Sequence, residues 1–183
     1  DTIRSALAQT YTGPVEIVIV DDCSTDKTVE LVEIMQKHRT SIKLIQNTEN
    51  QGIGANRNNG ILAASGEFMC FISADDTLNE NYVERMLETQ KINPDCFVFS
   101  DYHVINPAGK VIYGVKLPVF DLYQNFVVAC IEAAKTDTMF VCYNMFGPTK
   151  LFKENLFRYD LRYGEDLYHL LYCLLGRHIR FVH

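Results

Sequence analysis

Apolar runs and helical periodicities alternate along the first 105 residues of this chain. Short runs rich in β-branched and aromatic residues predict four strands, over residues 15–20 (VEIVIV), 42–46 (IKLIQ), 67–73 (EFMCFIS) and 96–105 (CFVFSDYHVI). Apolar residues that recur every three or four positions predict four helices, over residues 3–10, 26–38, 53–65 and 79–92. This alternation is typical of an α/β protein whose central sheet is mostly parallel.

Turn and capping residues place the ends of these elements. Ser24 or Thr25 is the expected N-cap of the second helix, because a hydroxyl there can accept a hydrogen bond from a free backbone amide of the first turn. Gly66 is the expected glycine stop after the third helix. The turn sequence NPAGK (106–110) predicts a β-hairpin in which the next run, VIYGV (111–115), pairs with the fourth strand.

The pattern is weaker after residue 115. It predicts a helix over 121–135, an extended segment over 140–146 (FVCYNMF), a helix over 165–175 and a short strand over 179–183 (IRFVH). No stretch is long enough to act as a linker between two domains, so we expect a single domain.

Charge and cysteine usage narrow the classes of function. The net charge of −6 comes without a basic stripe, which argues against a nucleic acid polymer as partner. No apolar run approaches the ~20 residues of a membrane span. The six cysteines form no CxxC pair, and most lie in apolar runs, so we expect buried free thiols in a reducing compartment.

Pairs of adjacent carboxylates stand out against this background. Three pairs follow predicted strands or open a predicted helix: Asp21-Asp22, Asp75-Asp76 and Glu165-Asp166. Each pair alone fits a turn or a helix start. Together they suggest one site, since ligands of open α/β sheets bind outside the carboxyl ends of the strands. Carboxylates there suit Mg²⁺ or Mn²⁺ bridged to the phosphates of a substrate.

Three segments resemble the successive signatures of family 2 glycosyltransferases with the GT-A fold. They are 15–28 (VEIVIVDDCSTDKT), 47–78 (NTENQGIGANRNNGILAASGEFMCFISADDTL) and 163–177 (YGEDLYHLLYCLLGR). The resemblance implies an α/β fold with a mostly parallel central sheet flanked by helices. It implies one domain over 1–183, with a nucleotide-sugar-binding half (1–105) and an acceptor-side half that carries the catalytic base (106–183). It also implies a further strand before residue 1 and a continuation after residue 183.

The activity implied by this resemblance is an inverting, metal-dependent sugar transfer. The donor would be a nucleotide-sugar, most often UDP-linked, and the cofactor Mg²⁺ or Mn²⁺. The acceptor would be a hydroxyl of a glycan, a lipid-linked molecule or another compound, in polysaccharide or glycoconjugate synthesis. The implied location is the cytoplasm, with peripheral attachment to the cytoplasmic face of the membrane as a variant.

On the donor side, the resemblance assigns roles to four residues. Asp22 matches the acid that contacts the base or ribose of the nucleotide, and Asp21 is expected to support the same loop. Arg57 matches an arginine that lies beside the nucleotide. Asp75 is expected to face the ribose or the donor sugar.

The chemical step is assigned to two further carboxylates. Asp76 matches the metal ligand and Asp166 matches the catalytic base, with Glu165 beside it as a candidate supporting residue. Asp101 is a further candidate from its position in the fourth predicted strand, where it could bind a sugar hydroxyl or serve equally well as a turn residue. Ser73 stands where the family motif commonly begins with an acid, so the chain reads SADD instead of DADD.

Two other classes of function fit the same residues. One is a sugar nucleotidyltransferase, which forms nucleotide-sugars and needs a glycine-rich basic loop after its first strand. The other is a non-catalytic domain that binds a nucleotide-sugar or a carbohydrate, which Ser73 would make more plausible.

Overall fold

The computed structural model describes residues 1–92, 94–117, 145–158, 160, 169, 173 and 179–182. The described helices are α1 (Thr2–Leu7), α2 (Thr28–His38), α3 (Ile53–Ala63), α4 (Tyr82–Ile92) and α5 (Thr149–Glu154). The described strands are β1 (Ile17–Asp21), β2 (Ile42–Gln46), β3 (Phe68–Cys70), β4 (Phe97–Ser100), β5 (Tyr102–Ile105), β6 (Val111–Val115), β7 (Met145–Pro148) and β8 (Ile179–Val182).

The described strands form three sheets. β1 and β2 are parallel, with Ile17 opposite Ile42 and Asp21 opposite Gln46. A second, four-stranded sheet has the order β3-β7-β4-β8, in which β7 runs antiparallel to both neighbours and β8 runs parallel to β4. β5 and β6 form the predicted antiparallel hairpin. The α/β class is thus confirmed, with β7 as an antiparallel strand inside the second sheet.

The predicted strand over 96–105 is wrong as a single element. This segment forms two strands, β4 and β5, which belong to different sheets and are separated by Asp101. The Asp101 carboxylate accepts a hydrogen bond of 2.8 Å from the backbone amide of Leu117, which ties this break to the far end of the hairpin. The hydrophobic run therefore continues through a corner rather than along one strand. The predicted strand over 67–73 is likewise shorter, at Phe68–Cys70.

Two predicted helix signals are also wrong. α2 starts at Thr28, and the carboxylate of Asp26, instead of Ser24 or Thr25, accepts the Thr28 amide at 2.9 Å. α3 ends at Ala63, before the expected glycine stop. Beyond its end, the Glu16 carboxylate accepts the backbone amides of Ser65 and Gly66, so a distant acid takes up these donors.

An aromatic core lies beneath the candidate site. Phe71, two residues before Ser73, makes edge-to-face contacts with Phe152 at 5.4 Å and with Phe157 at 5.6 Å. The fully buried Phe97 packs edge-on against Phe152, with ring centroids 5.1 Å apart. Pairs of this kind add about 0.5–1.5 kcal/mol each beyond their buried area. The loop that carries Asp75 and Asp76 therefore starts from a rigid base.

The cysteine prediction holds in part. Cys96 and Cys173 are buried and Cys70 is partly buried, but Cys23 is exposed, because it lies in the turn after β1. Cys130 and Cys142 lie outside the described residues. No described helix is long and apolar enough to cross a membrane.

The remaining predictions for the second half fall on residues that the structure leaves undescribed. These are the helix over 121–135, residues 140–144 of the extended segment and, except for residues 169 and 173, the helix over 165–175. The predicted final strand corresponds to β8.

Candidate active site

Four groups of predicted site residues lie within the described part of the chain. Asp21 ends β1 and Asp22 follows it, Arg57 lies in α3, the segment 73–76 follows β3, and Asp101 separates β4 from β5. The predicted catalytic base Asp166 and its neighbour Glu165 lie outside the described residues, so their placement remains a prediction.

The Asp22 carboxylate is held by three donors. Its Oδ1 accepts hydrogen bonds from the Asn47 side-chain amide at 2.8 Å and from the Gln51 backbone amide at 2.9 Å. Its Oδ2 accepts the Gly52 backbone amide at 2.9 Å. Partial removal from solvent alone would raise the pKa of Asp22. The hydrogen bonds donated by Gln51, Asn47 and Gly52 outweigh this effect and lower that pKa below its usual value. Asp22 is therefore a preorganised anion at neutral pH.

The Asp21 carboxylate shapes the turn that presents Asp22. Asp21 is only 6% exposed, and its Oδ2 accepts the backbone amide of Ser24 at 3.0 Å. Cys23 within this turn has a φ of 69°, a left-handed conformation that is uncommon for a residue with a Cβ. The turn is thus closed by Asp21 from inside the fold, while Asp22 faces the loop after β2.

A chain of asparagine amides supports Asp22, and the sequence prediction missed it. The Asn47 amide nitrogen lies 3.0 Å from Asn56 Oδ1, and Asn59 donates to Asn47 Oδ1 at 3.0 Å. Asn56 in turn donates to the Val20 carbonyl at 3.1 Å. Asparagine is a poor residue for a helix interior, so its repeated use in α3 was the available signal.

Arg57 belongs to a second cluster on α3. Its guanidinium carbon lies 5.0 Å from the centroid of the Phe157 ring, within the range of a cation–π contact. The buried Asn58 fixes Phe157 from the backbone, because its side chain donates to the Phe157 carbonyl at 2.9 Å and accepts the Phe157 amide at 2.8 Å. Phe157 stacks on His169, with ring centroids 3.7 Å apart.

His169 is a buried neutral histidine that the sequence prediction did not single out. It is 0% exposed, and its Nε2 lies 3.4 Å from the Cys173 sulfur. Burial, and secondly the positive charge of Arg57, lower the pKa of His169 to about 4, against a smaller opposing effect of the Asn155 backbone. Asp166 precedes His169 by three positions in the sequence.

The acidic loop after β3 exposes both of its carboxylates. Asp75 and Asp76 are solvent-exposed, and the Asp76 amide donates to the Ser73 carbonyl at 3.1 Å, which closes a turn. Partial removal from solvent, and to a smaller extent the negative charge of Asp75, raise the pKa of Asp76 above its usual value. A cation placed at this pair would relieve the repulsion.

Helix α1 fastens this acidic loop to the rest of the fold. The Thr2 hydroxyl lies 2.7 Å from the carbonyl oxygens of both Ala74 and Asp76, and Ser5 Oγ accepts the Leu78 amide at 3.0 Å. After the helix, Gln9 donates to the Asn79 carbonyl at 2.8 Å. Side chains near the start of the chain thus fix the loop that presents the two acids.

The acidic pair suits a divalent cation that arrives with a phosphorylated substrate. Among the described residues, no group of three or more His, Cys, Asp or Glu side chains could hold a metal ion alone. Mg²⁺ commonly takes only one or two protein carboxylates and completes its shell with water and substrate phosphates. The exposed pair Asp75-Asp76 fits that pattern.

Ser73 and Asp101 contribute to local structure. Ser73 supplies its carbonyl to the turn of the acidic loop, and Asp101 supplies its carboxylate to Leu117. Any contact of these two residues with a ligand is still a prediction.

Residues 1–151 match the family described as Glycosyl transferase family 2. The chain belongs to this family. It is 34% identical over 168 residues to an uncharacterized glycosyltransferase of Rickettsia conorii, covering 91% of this chain and 26% of that protein. It is 43% identical over 173 residues to the succinoglycan biosynthesis protein ExoO of Rhizobium meliloti, covering 90% of this chain and 48% of ExoO. The chain thus spans about a quarter of the first relative and about half of the second.

Solved structures show the same fold. S. aureus TarS 1–349, crystallised in complex with UDP, superimposes with a TM-score of 0.78 at 23% sequence identity. The superposition covers 99% of this chain and 52% of that one. The chain therefore has the GT-A fold of these structures, in agreement with its family.

Proposed function

We propose that this chain transfers a sugar from a UDP-linked donor to an acceptor hydroxyl, with inversion at the anomeric carbon, in the synthesis of a polysaccharide or glycoconjugate. The observation that carries the proposal is the Asp22 carboxylate, which three donors hold as an oriented anion at the end of β1. A carboxylate can accept about four hydrogen bonds, so one position on Oδ2 is left for a donor group of the nucleotide.

The names of similar proteins support the choice of substrate class. TarS was crystallised in complex with UDP, and ExoO is named for succinoglycan biosynthesis. Because the chain spans about half the length of each, the donor sugar and the acceptor of the whole protein are proposals of class alone.

In this proposal the donor-side residues bind and orient the nucleotide-sugar and take no direct part in breaking or forming bonds. Asp22 accepts from the nucleotide, and Arg57, steadied by the Phe157 ring, supplies positive charge beside it. Asp76, with Asp75 next to it, would hold Mg²⁺ or Mn²⁺, and the ion would offset the negative charge of the leaving diphosphate.

Asp166 is assigned as the base that removes the proton of the acceptor hydroxyl. As the acceptor oxygen attacks the anomeric carbon, a carboxylate oxygen of Asp166 takes the hydroxyl proton, and the nucleoside diphosphate leaves from the opposite face. The attack and the deprotonation occur within one bound complex. Holding donor, acceptor and base in the right geometry therefore supplies a large part of the rate acceleration.

Calorimetry of the intact protein with UDP tests the donor half of the proposal. We expect saturable UDP binding that Mn²⁺ strengthens, and loss of most of that gain in Asp76→Asn. UDP binding that does not respond to Mn²⁺ would contradict the metal assignment, and absence of UDP binding in both conditions would contradict the donor class. A screen of UDP-linked hexoses against hydroxyl acceptors then identifies the substrates.

A further inference from the structure

We propose that Asn47 is a positioning residue for the nucleotide: its side-chain amide orients the Asp22 carboxylate from the end of β2, and α3 fixes Asn47 in turn. This inference deepens the proposed function and rests on it, because it assigns a task to a residue that would touch Asp22 and not the nucleotide. Three asparagines and one carboxylate carry the argument.

The amides form a continuous relay from α3 to Asp22. Asn59 donates to Asn47 Oδ1 at 3.0 Å, and the Asn47 amide nitrogen lies 2.8 Å from Asp22 Oδ1 and 3.0 Å from Asn56 Oδ1. The Asn47 backbone amide also donates to the Asp21 carbonyl at 2.9 Å. Asn47 is therefore attached at its backbone to β1 and at its side chain to α3, and its orientation is fixed from both directions.

The direction of this relay follows from its ends. A carboxylate and a backbone carbonyl can only accept hydrogen bonds, so Asn47 must turn its NH₂ group to Asp22, and Asn56 must turn its NH₂ group to Val20. Asn47 Oδ1 then faces the NH₂ group of Asn59. Each amide has one orientation that satisfies its partners, and the relay has no alternative flipped state of equal energy.

Asn47 is the donor to Asp22 that substitution can change. The other two donors are the backbone amides of Gln51 and Gly52, which persist in every variant. Replacing the Asn47 amide by an isosteric carboxylate would bring an acceptor against both Asp22 Oδ1 and Asn56 Oδ1. Two like charges would then meet across a distance that now holds a 2.8 Å hydrogen bond.

The chain offers a matched control for this change. Asn106, in the turn of the β5–β6 hairpin, accepts the amides of Ala108 and Lys110 with its Oδ1, both at 3.0 Å. A carboxylate at this position accepts the same two donors equally well. Asn47→Asp and Asn106→Asp therefore make the same chemical change and add the same charge. The relay predicts weaker UDP binding only for Asn47→Asp.

The experiment measures UDP binding and backbone amide exchange in the intact protein and both variants. We expect Asn47→Asp to raise the dissociation constant for UDP by at least about tenfold, and to speed hydrogen exchange of the Gln51 and Gly52 amides, because a displaced Asp22 no longer holds them. Asn106→Asp is expected to change neither. With an active donor in hand, KM for that donor rises in Asn47→Asp while kcat stays within about twofold.

Several results would overturn the inference. They are wild-type UDP affinity in Asn47→Asp, an equal loss of affinity in both variants, or a fall of kcat that matches the rise of KM. Should Asn47→Asp fail to fold, Asn47→Ala removes the donor without adding charge, and unchanged UDP affinity in that variant would also overturn the inference. If the wild-type protein does not bind UDP, the proposed function fails, and unchanged exchange at Gln51 and Gly52 in Asn47→Asp would refute the relay separately.

Discussion

The ring of Phe157 lies parallel to the ring of His169, with an interplanar angle of 7° and 3.7 Å between centroids. The Arg57 guanidinium lies over the same Phe157 ring, at 5.0 Å from its centroid. An arginine assigned to the nucleotide thus shares one aromatic side chain with a histidine three positions after the assigned base Asp166. The stack is a direct physical connection between the helix that carries Arg57 and the segment predicted to carry the base.

The buried His169 makes stability depend on pH. Its folded pKa of about 4 lies below the ordinary value of 6.5, so between these values the unfolded chain binds a proton that the folded chain does not. Stability therefore falls as pH drops from 6.5 towards 4, by on the order of 3 kcal/mol at about 1.4 kcal/mol for each unit of pH.

We predict that His169→Phe removes this component. Denaturant unfolding at a series of pH values should give a flatter stability curve for the variant between pH 6.5 and 4 than for the wild-type protein. The exposed His38 provides the control, and His38→Gln should give a curve parallel to that of the wild-type protein. A curve for His169→Phe that is also parallel would show that His169 is not the buried neutral histidine described above.

The Asn58 side chain is predicted to matter for stability through Phe157. Asn58→Ala leaves both the amide and the carbonyl of Phe157 unpaired in a buried position, which should cost about 2–4 kcal/mol. The exposed Asn50 is the matched control, and Asn50→Ala should stay within about 0.5 kcal/mol of the wild-type protein. Urea unfolding checks both values, and equal stability of the two variants would contradict the proposed clamp.

Two glycines that share a positive φ separate strain from function. Gly52 has a φ of 82° and Gly109 a φ of 77°, and an added Cβ at either one would meet no atom within 4 Å. Alanine at each position should therefore cost about 1–3 kcal/mol from backbone strain alone. Only Gly52→Ala should also weaken UDP binding, because strain at residue 52 would shift the backbone amide that donates to Asp22. Equal UDP affinity in the two variants, by calorimetry, would argue against Asp22 as a nucleotide ligand.

The sequence predicted what depends on local pattern. β1 and β2 follow short runs rich in apolar residues, and the turn at 106–110 defines its hairpin, so their positions were readable to within a few residues. The pairing of β7 between β3 and β4 was not readable, because its partners lie more than 40 residues away in the chain.

For the site, motif residues were easier to identify than the residues that support them. Asp22 and Asp76 were predicted from their family signatures, whereas Asn47 and His169 were not, because their contacts arise only when α3, β2 and the segment near 157 come together. The end of α3 shows the same effect, since Glu16, about 50 residues earlier in the chain, accepts the free amides that follow it.

The central claim is sugar transfer from a UDP-linked donor with Asp166 as the base, and Asp166→Asn tests it most directly. Turnover of the intact protein should be measured at saturating donor, using the best UDP-linked hexose from a substrate screen, with UDP affinity measured in parallel. We predict that turnover falls by at least about a hundredfold while the dissociation constant for UDP stays within about threefold. Turnover near that of the wild-type protein, or a loss of UDP affinity as large as the loss of turnover, would contradict the account.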